Sequence, residues 1–129
     1  MNVPSELRYT KTHEWVRLEK GVAIIGITDF AQEQLGDLTY VELPAVGENV
    51  EAQSEVAVVE SVKAAADIYA PIDGTITEVN KKLEDQPELI NTDPFGDGWL
   101  FKLQPDDPSD IDMLLDSDQY EELIPEVEE

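Results

Sequence analysis

The chain has 129 residues, 41% of them hydrophobic, which suggests one domain, residues 1–129, with an ordinary core. It carries 30 acidic residues against 8 basic ones, a net charge of −22, so phosphate backbones and anionic membrane surfaces would repel it. It has no cysteine, which excludes disulfides, thiolate metal sites and cysteine catalysis, and no apolar run nears the ~18 residues of a membrane span.

Residues 1–14 read as an irregular lead-in without an apolar signal core. The expected location is cytoplasmic, or the mitochondrial matrix if the source is eukaryotic. Trp15 to Leu18 and Val22 to Ile27 read as strands of a hairpin turning at Glu19-Lys20-Gly21. Thr28 is placed to cap a short helix from Asp29 to Leu35, closed by Gly36. Leu38 to Leu43 alternates as a strand and stops at Pro44, and Gly47-Glu48-Asn49 reads as a turn. Val56 to Val59 and Ala64 to Tyr69 are strand-like around Lys63. Pro71 to Gly74 reads as a turn and Thr75 to Val79 as a strand. Asn80 to Ile90 is mixed, Asn91 to Gly98 is loop, and Trp99 to Leu103 is the last strand.

The tail differs in charge and period. Residues 105–129 hold 11 acids and no base, half of the net charge. A solvated helical edge is the plain reading of such a run. Ser109 and Ser117 are positioned to cap two helical segments, the first with Asp112 as its capping-box acid. Ile111, Leu114 and Leu115, then Tyr120, Leu123 and Ile124, would face inward, and Pro125 would end the second segment. The fold class expected is α+β, mainly β, with an acidic helical extension over about residues 105–129. Trp15, Trp99, Phe30 and Phe101 read as core.

Residues 21–80 contain one basic residue, Lys63. Strand-like residues precede it and small residues follow, which suits the tip of a hairpin. Gly47 precedes Lys63 and Gly74 follows it, each in an apolar turn where glycine supplies φ > 0. Two such half-units suggest quasi-two-fold symmetry about the lysine. Its flexible stem ends in an amine suited to acylation, and an amide would remove the charge before the arm enters an apolar cleft. On spacing alone an ordinary surface lysine is the simpler reading.

Glu60-Ser-Val-Lys63-Ala-Ala-Ala-Asp67-Ile-Tyr-Ala-Pro71-Ile-Asp-Gly74 resembles the lipoyl-attachment segment of glycine cleavage H proteins. So, in the same order, do Thr12-His-Glu-Trp15, Gly26-Ile-Thr-Asp29, Leu35-Gly36-Asp37, Tyr40-Val-Glu-Leu-Pro44, Pro87-Glu-Leu-Ile-Asn91 and Gly98-Trp99. The resemblance runs from about Tyr9 to Leu123. It implies a lipoyl-type barrel-sandwich hybrid with flanking short helices, and lipoate in amide linkage to Lys63. It also implies a shuttle, not an enzyme. The arm would take an aminomethyl group from a pyridoxal-phosphate glycine decarboxylase to a tetrahydrofolate-dependent aminomethyltransferase. Dihydrolipoamide dehydrogenase would then reoxidise it, and a lipoylating enzyme would attach the lipoate.

By the same resemblance His13 and Glu14 lie near the arm's cleft. Glu14 would hold the cationic amine of the loaded arm; a solvated acid before a core tryptophan is the alternative. His13, the single histidine, is too few ligands for a metal. Glu60 and Asp67 flank the lysine either as recognition marks for the lipoylating enzyme or as solubilising charges. Asp106-Asp107 and the tail acids would steer a basic partner or simply be solvated. A biotin carrier would place methionines beside the lysine, and a 2-oxo-acid dehydrogenase lipoyl domain an aspartate; Val62 and Ala64 stand there instead. A lipoate-donating relative stays open on sequence grounds.

Overall fold

The computed structural model describes residues 2–124. Strands dominate, in two sheets. β1 is Arg8–Tyr9, β2 Glu14–Glu19 and β3 Val22–Ile27; α1, Asp29–Leu35, leads to β4, Leu38–Glu42, and β5, Asn49–Val50. β6, Glu55–Ser61, and β7, Ala65–Tyr69, flank Lys63. β8 is Gly74–Val79, α2 Lys82–Asp85, α3 Leu89–Thr92 and β9 Phe101–Pro105. A 3₁₀ turn, Pro108–Met113, and α4, Ser117–Leu123, complete the chain. The larger sheet runs β1-β2-β3-β9-β8-β5 and the smaller β4-β6-β7.

Alternation along the strands decides which face each residue buries. Val16 and Ile25, paired across β2 and β3, face the main core with Val59 and Ile68 of the smaller sheet. Trp15 and Ile24 point the other way, into a second cluster with Leu7, Tyr9 and Tyr120. Trp15 is fully buried; its indole N–H donates to the Pro94 carbonyl at 2.9 Å, and the Arg17 guanidinium covers its ring. That second cluster anchors the acidic tail: Tyr9 and Tyr120 stack at 4.8 Å, and Tyr9 and Leu115 exchange backbone hydrogen bonds of 2.8 and 2.9 Å.

Several expectations need correction. The lead-in contains β1, held by β2 through the pairs Arg8–Val16 and Tyr9–Trp15. Asn49 leaves the expected turn to pair with Thr75 in β5. Gly74 belongs to β8, and its φ is not among the positive ones, which among the glycines fall at Gly21, Gly36 and Gly47. Its small size has a different cause: a Cβ there would overlap the Gln104 carbonyl and stand 2.9 Å from the Leu103 side chain. The expected loop at Asn91 begins with the last turn of α3, and Trp99 precedes β9, half-buried with the Lys102 ammonium over its ring. In the tail, Asp107 rather than Ser109 caps the first segment, which is 3₁₀. Asp116 rather than Ser117 caps α4, in a capping box with Gln119. Leu123 is exposed, while Tyr120 is buried and Ile124 packs on the second cluster. Pro125 lies outside the described residues. The Thr28 cap is as expected: its hydroxyl accepts the Ala31 N–H at 3.2 Å.

Candidate functional site

The segments on either side of Lys63 pair with each other along most of their length. The Gly47 N–H donates to the Ile76 carbonyl, Val50 pairs with Gly74, and the Gln53 N–H donates to the Ala70 carbonyl. β6 and β7 continue the ladder from Glu55–Tyr69 to Glu60–Ala65. The chain thus folds back on itself as one long ribbon whose apex is Val62-Lys63-Ala64. Gly47, at φ 92, begins the ribbon and Gly74 lies within it.

Ser61 shapes the apex. Its hydroxyl accepts the N–H groups of Lys63 and Ala64 at 3.2 and 3.1 Å and donates to the Leu35 carbonyl at 2.6 Å. Lys63 is exposed, as are Val62, Ala64 and Ala65. Among the described residues its ammonium makes no ion pair. Glu60 and Asp67 are exposed on the ribbon, opposite Ala65 and Val58. Exposed Tyr40, beside Glu60, and Val62, 90% exposed, add apolar surface around the apex.

Glu14 is fully buried, which excludes the solvated acid. One carboxylate oxygen accepts the hydroxyls of Thr10 and Thr12, and the other accepts the Tyr69 N–H at 3.0 Å. This bond ties β2 to the far end of β7. Burial pushes the Glu14 pKa up, and the three hydrogen bonds oppose the rise. Among the described residues no cation pairs with it. A cleft of about 420 Å³ opens against Thr10, Thr12 and Tyr69, with Met113, Leu114 and Leu115 as a further wall. Lys63 does not line it.

His13 is half-buried at φ 76. Its Nδ1 is hydrogen-bonded to the Tyr120 hydroxyl at 2.8 Å, and its ring packs on Phe30. Burial lowers its pKa from the ordinary 6.5, so the ring is neutral at pH 7. Burial raises the Tyr120 hydroxyl to about 12, against the bond to Thr28. His13 and Glu14 are therefore neighbours with different employments, one locking α4 and the other facing β7. Among the described residues no group of His, Asp and Glu is arranged to hold a metal ion, and no helix is long and apolar enough to cross a membrane.

Sequence reasoning missed Thr10, Thr12, Ser61 and Tyr69. Thr10 and Thr12 reach Glu14 because the chain turns between β1 and β2, with the His13 N–H donating to the Thr10 carbonyl at 3.2 Å and His13 at φ 76, a closure that no strand or helix period announces.

The model of the glycine cleavage H-protein family matches residues 7–127. The chain belongs to that family. A glycine cleavage system H protein of Psychrobacter sp. (strain PRwf-1) is 56% identical over 121 residues, 93% of this chain and 96% of that one. One from Alkalilimnicola ehrlichii is 54% identical over 127 residues, 98% of each chain. The crystal structure of a glycine cleavage system H protein from Mycobacterium marinum superposes with a TM-score of 0.84 at 41% identity, covering 92% of this chain and 95% of that one. The fold is accordingly the lipoyl-type barrel-sandwich expected for the family, two sheets and short helices without a closed barrel.

Proposed function

We propose that the chain is the lipoate-carrying shuttle of a glycine cleavage system and that Lys63 is the attachment point. The observation that supports this most is the placement of Lys63, exposed and without an ion partner among the described residues, at the apex of a ribbon with small neighbours. An amine there meets an acylating enzyme without losing a salt bridge. Glu60 and Asp67, exposed on the same ribbon, are part of what the lipoylating enzyme reads. Bound at Lys63, lipoate supplies the sulfurs that accept the aminomethyl group left by glycine decarboxylase and pass it to the aminomethyltransferase, with dihydrolipoamide dehydrogenase restoring the disulfide.

The chain's own part is attachment, reach and shelter, so it is a carrier and not an enzyme. Glu14 shelters the load. A buried carboxylate without a cation is costly, and such groups cluster at functional sites. The ammonium of the loaded arm supplies the missing positive charge and gains a charge-assisted hydrogen bond. The work takes place in the cytoplasm, or in the mitochondrial matrix of a eukaryote.

Intact mass with peptide mapping, on protein from lipoate-sufficient cells, tests the attachment. A single lipoyl increment on Lys63, absent from Lys63→Arg, is expected. An unmodified Lys63 in cells with competent lipoylating enzymes would overturn the reading. Glycine–bicarbonate exchange with the decarboxylase then tests the shuttle: a lipoylated chain that supports no exchange is a donor of lipoate instead.

A further inference from the structure

The end of α1 lies under the Lys63 side chain. Gly36 stands at φ 82 and ψ −163, a region essentially open to glycine alone. A Cβ built at Gly36 would come within 3.0 Å of the Lys63 Cε and 3.7 Å of its Nζ. The lysine stem therefore crosses the bare backbone of Gly36, in a seat that a side chain would fill.

The seat is held from two sides. From the ribbon, Ser61 reaches the Leu35 carbonyl at 2.6 Å while receiving the Lys63 N–H at 3.2 Å. From α3, the Asn91 amide donates to the Gly36 carbonyl and to Gln32 Oε1, both at 2.9 Å, and its oxygen accepts the Leu38 N–H at 2.9 Å. Asn91 thus grips the chain before, at and after Gly36. Two of these bonds go to the backbone itself and the third to the Gln32 side chain, and a polar network satisfied in this way makes its surroundings rigid.

We propose that Gly36, Ser61 and Asn91 are positioning residues that set the direction in which the arm leaves Lys63. They lay the stem across the end of α1 instead of letting it sweep freely from the apex. This rests on the carrier reading above. A stem ordered in advance loses less side-chain freedom when the arm docks in a partner's active site, so the benefit falls on productive encounter.

The test pairs a nuclear Overhauser measurement between the Lys63 ε protons and the Gly36 α protons, on the full chain before and after lipoylation, with glycine–bicarbonate exchange. The wild-type chain is expected to show the contact in both forms. Ser61→Ala and Asn91→Asp are expected to weaken it and to raise the chain concentration for half-maximal exchange about tenfold, with the maximal rate little changed. Ser61→Thr keeps the hydroxyl and is expected to restore both. Should Asn91→Asp fail to fold, the Ser61 pair decides. A lipoylated wild-type chain without the contact overturns this inference alone, as do variants that lose the contact with exchange unaltered. A chain that shows the contact but is never lipoylated overturns the carrier reading and this one with it.

Discussion

The imidazole of His13 and the hydroxyl of Tyr120 meet at 2.8 Å across 107 residues of sequence. The same hydroxyl lies 2.7 Å from Thr28 Oγ1, which also caps α1. One phenol therefore joins α4, the start of α1 and the turn before β2. Tyr120→Phe keeps the stacked ring but leaves the His13 and Thr28 groups short of a partner, at an expected cost of about 1–3 kcal/mol. Urea midpoints of the two proteins check this.

Glu14→Gln separates charge from shape. The amide can accept the Tyr69 N–H and donate to the Thr10 and Thr12 hydroxyls, so the fold should survive. The folded Glu14 pKa is raised by burial, so the folded state holds its proton longer than the unfolded state. Stability from this group is then full below the ordinary carboxyl range and lost as pH rises through the raised folded value. The difference in urea midpoint between wild type and Glu14→Gln should shift in favour of the variant across that window. On the proposed function, the aminomethyl-loaded variant should also release ammonia about tenfold faster, the weight of one charge-assisted hydrogen bond.

The two glycines flanking the lysine should fail for different reasons. Gly74→Ala drives a Cβ into the Gln104 backbone, which cannot yield as a side chain can; about 1–3 kcal/mol is expected. Gly47→Ala meets nothing within 4 Å and suffers only its φ of 92, near 1 kcal/mol by the usual left-handed penalty. Thermal midpoints should rank Gly74→Ala below Gly47→Ala, and the reverse order would contradict the close approach of β8 and β9.

Asp116→Ala removes the side-chain cap of α4, the 2.8 Å bond its carboxylate accepts from the Gln119 N–H, and leaves the bond from its own backbone N–H to Gln119 Oε1 at 3.0 Å. About 1 kcal/mol should be lost. Ser117→Ala, one residue on, should change the urea midpoint by less than about 0.5 kcal/mol.

Local chemistry was legible in the sequence and long-range chemistry was not. Thr28 and Gly36 marked both ends of α1, because capping acts within one turn. The strand-like runs Trp15–Leu18 and Val22–Ile27 around Glu19-Lys20-Gly21 read as a hairpin for the same reason. In the tail, an Asp and a Ser one or two positions apart compete for each cap, and Asp107 and Asp116 take it. β1 and β5, two residues each, are too short to show a period and exist through their partners. Lys63 stood out by the absence of other bases, but the seat beneath it did not. Asn91 acts through residues 53 to 59 positions away, and nothing near it in sequence announces that.

That span has a consequence for how the protein comes into being. Contacts between distant residues form after local ones, since the intervening loop must first close. During synthesis, the ribbon apex can leave the ribosome while α3 is still inside the exit tunnel. Until Asn91 arrives, Gly36 lacks its grip, and the lysine stands on a hairpin whose seat is unfinished. Only a chain that has been made well past its midpoint and folded there has its lysine laid in place.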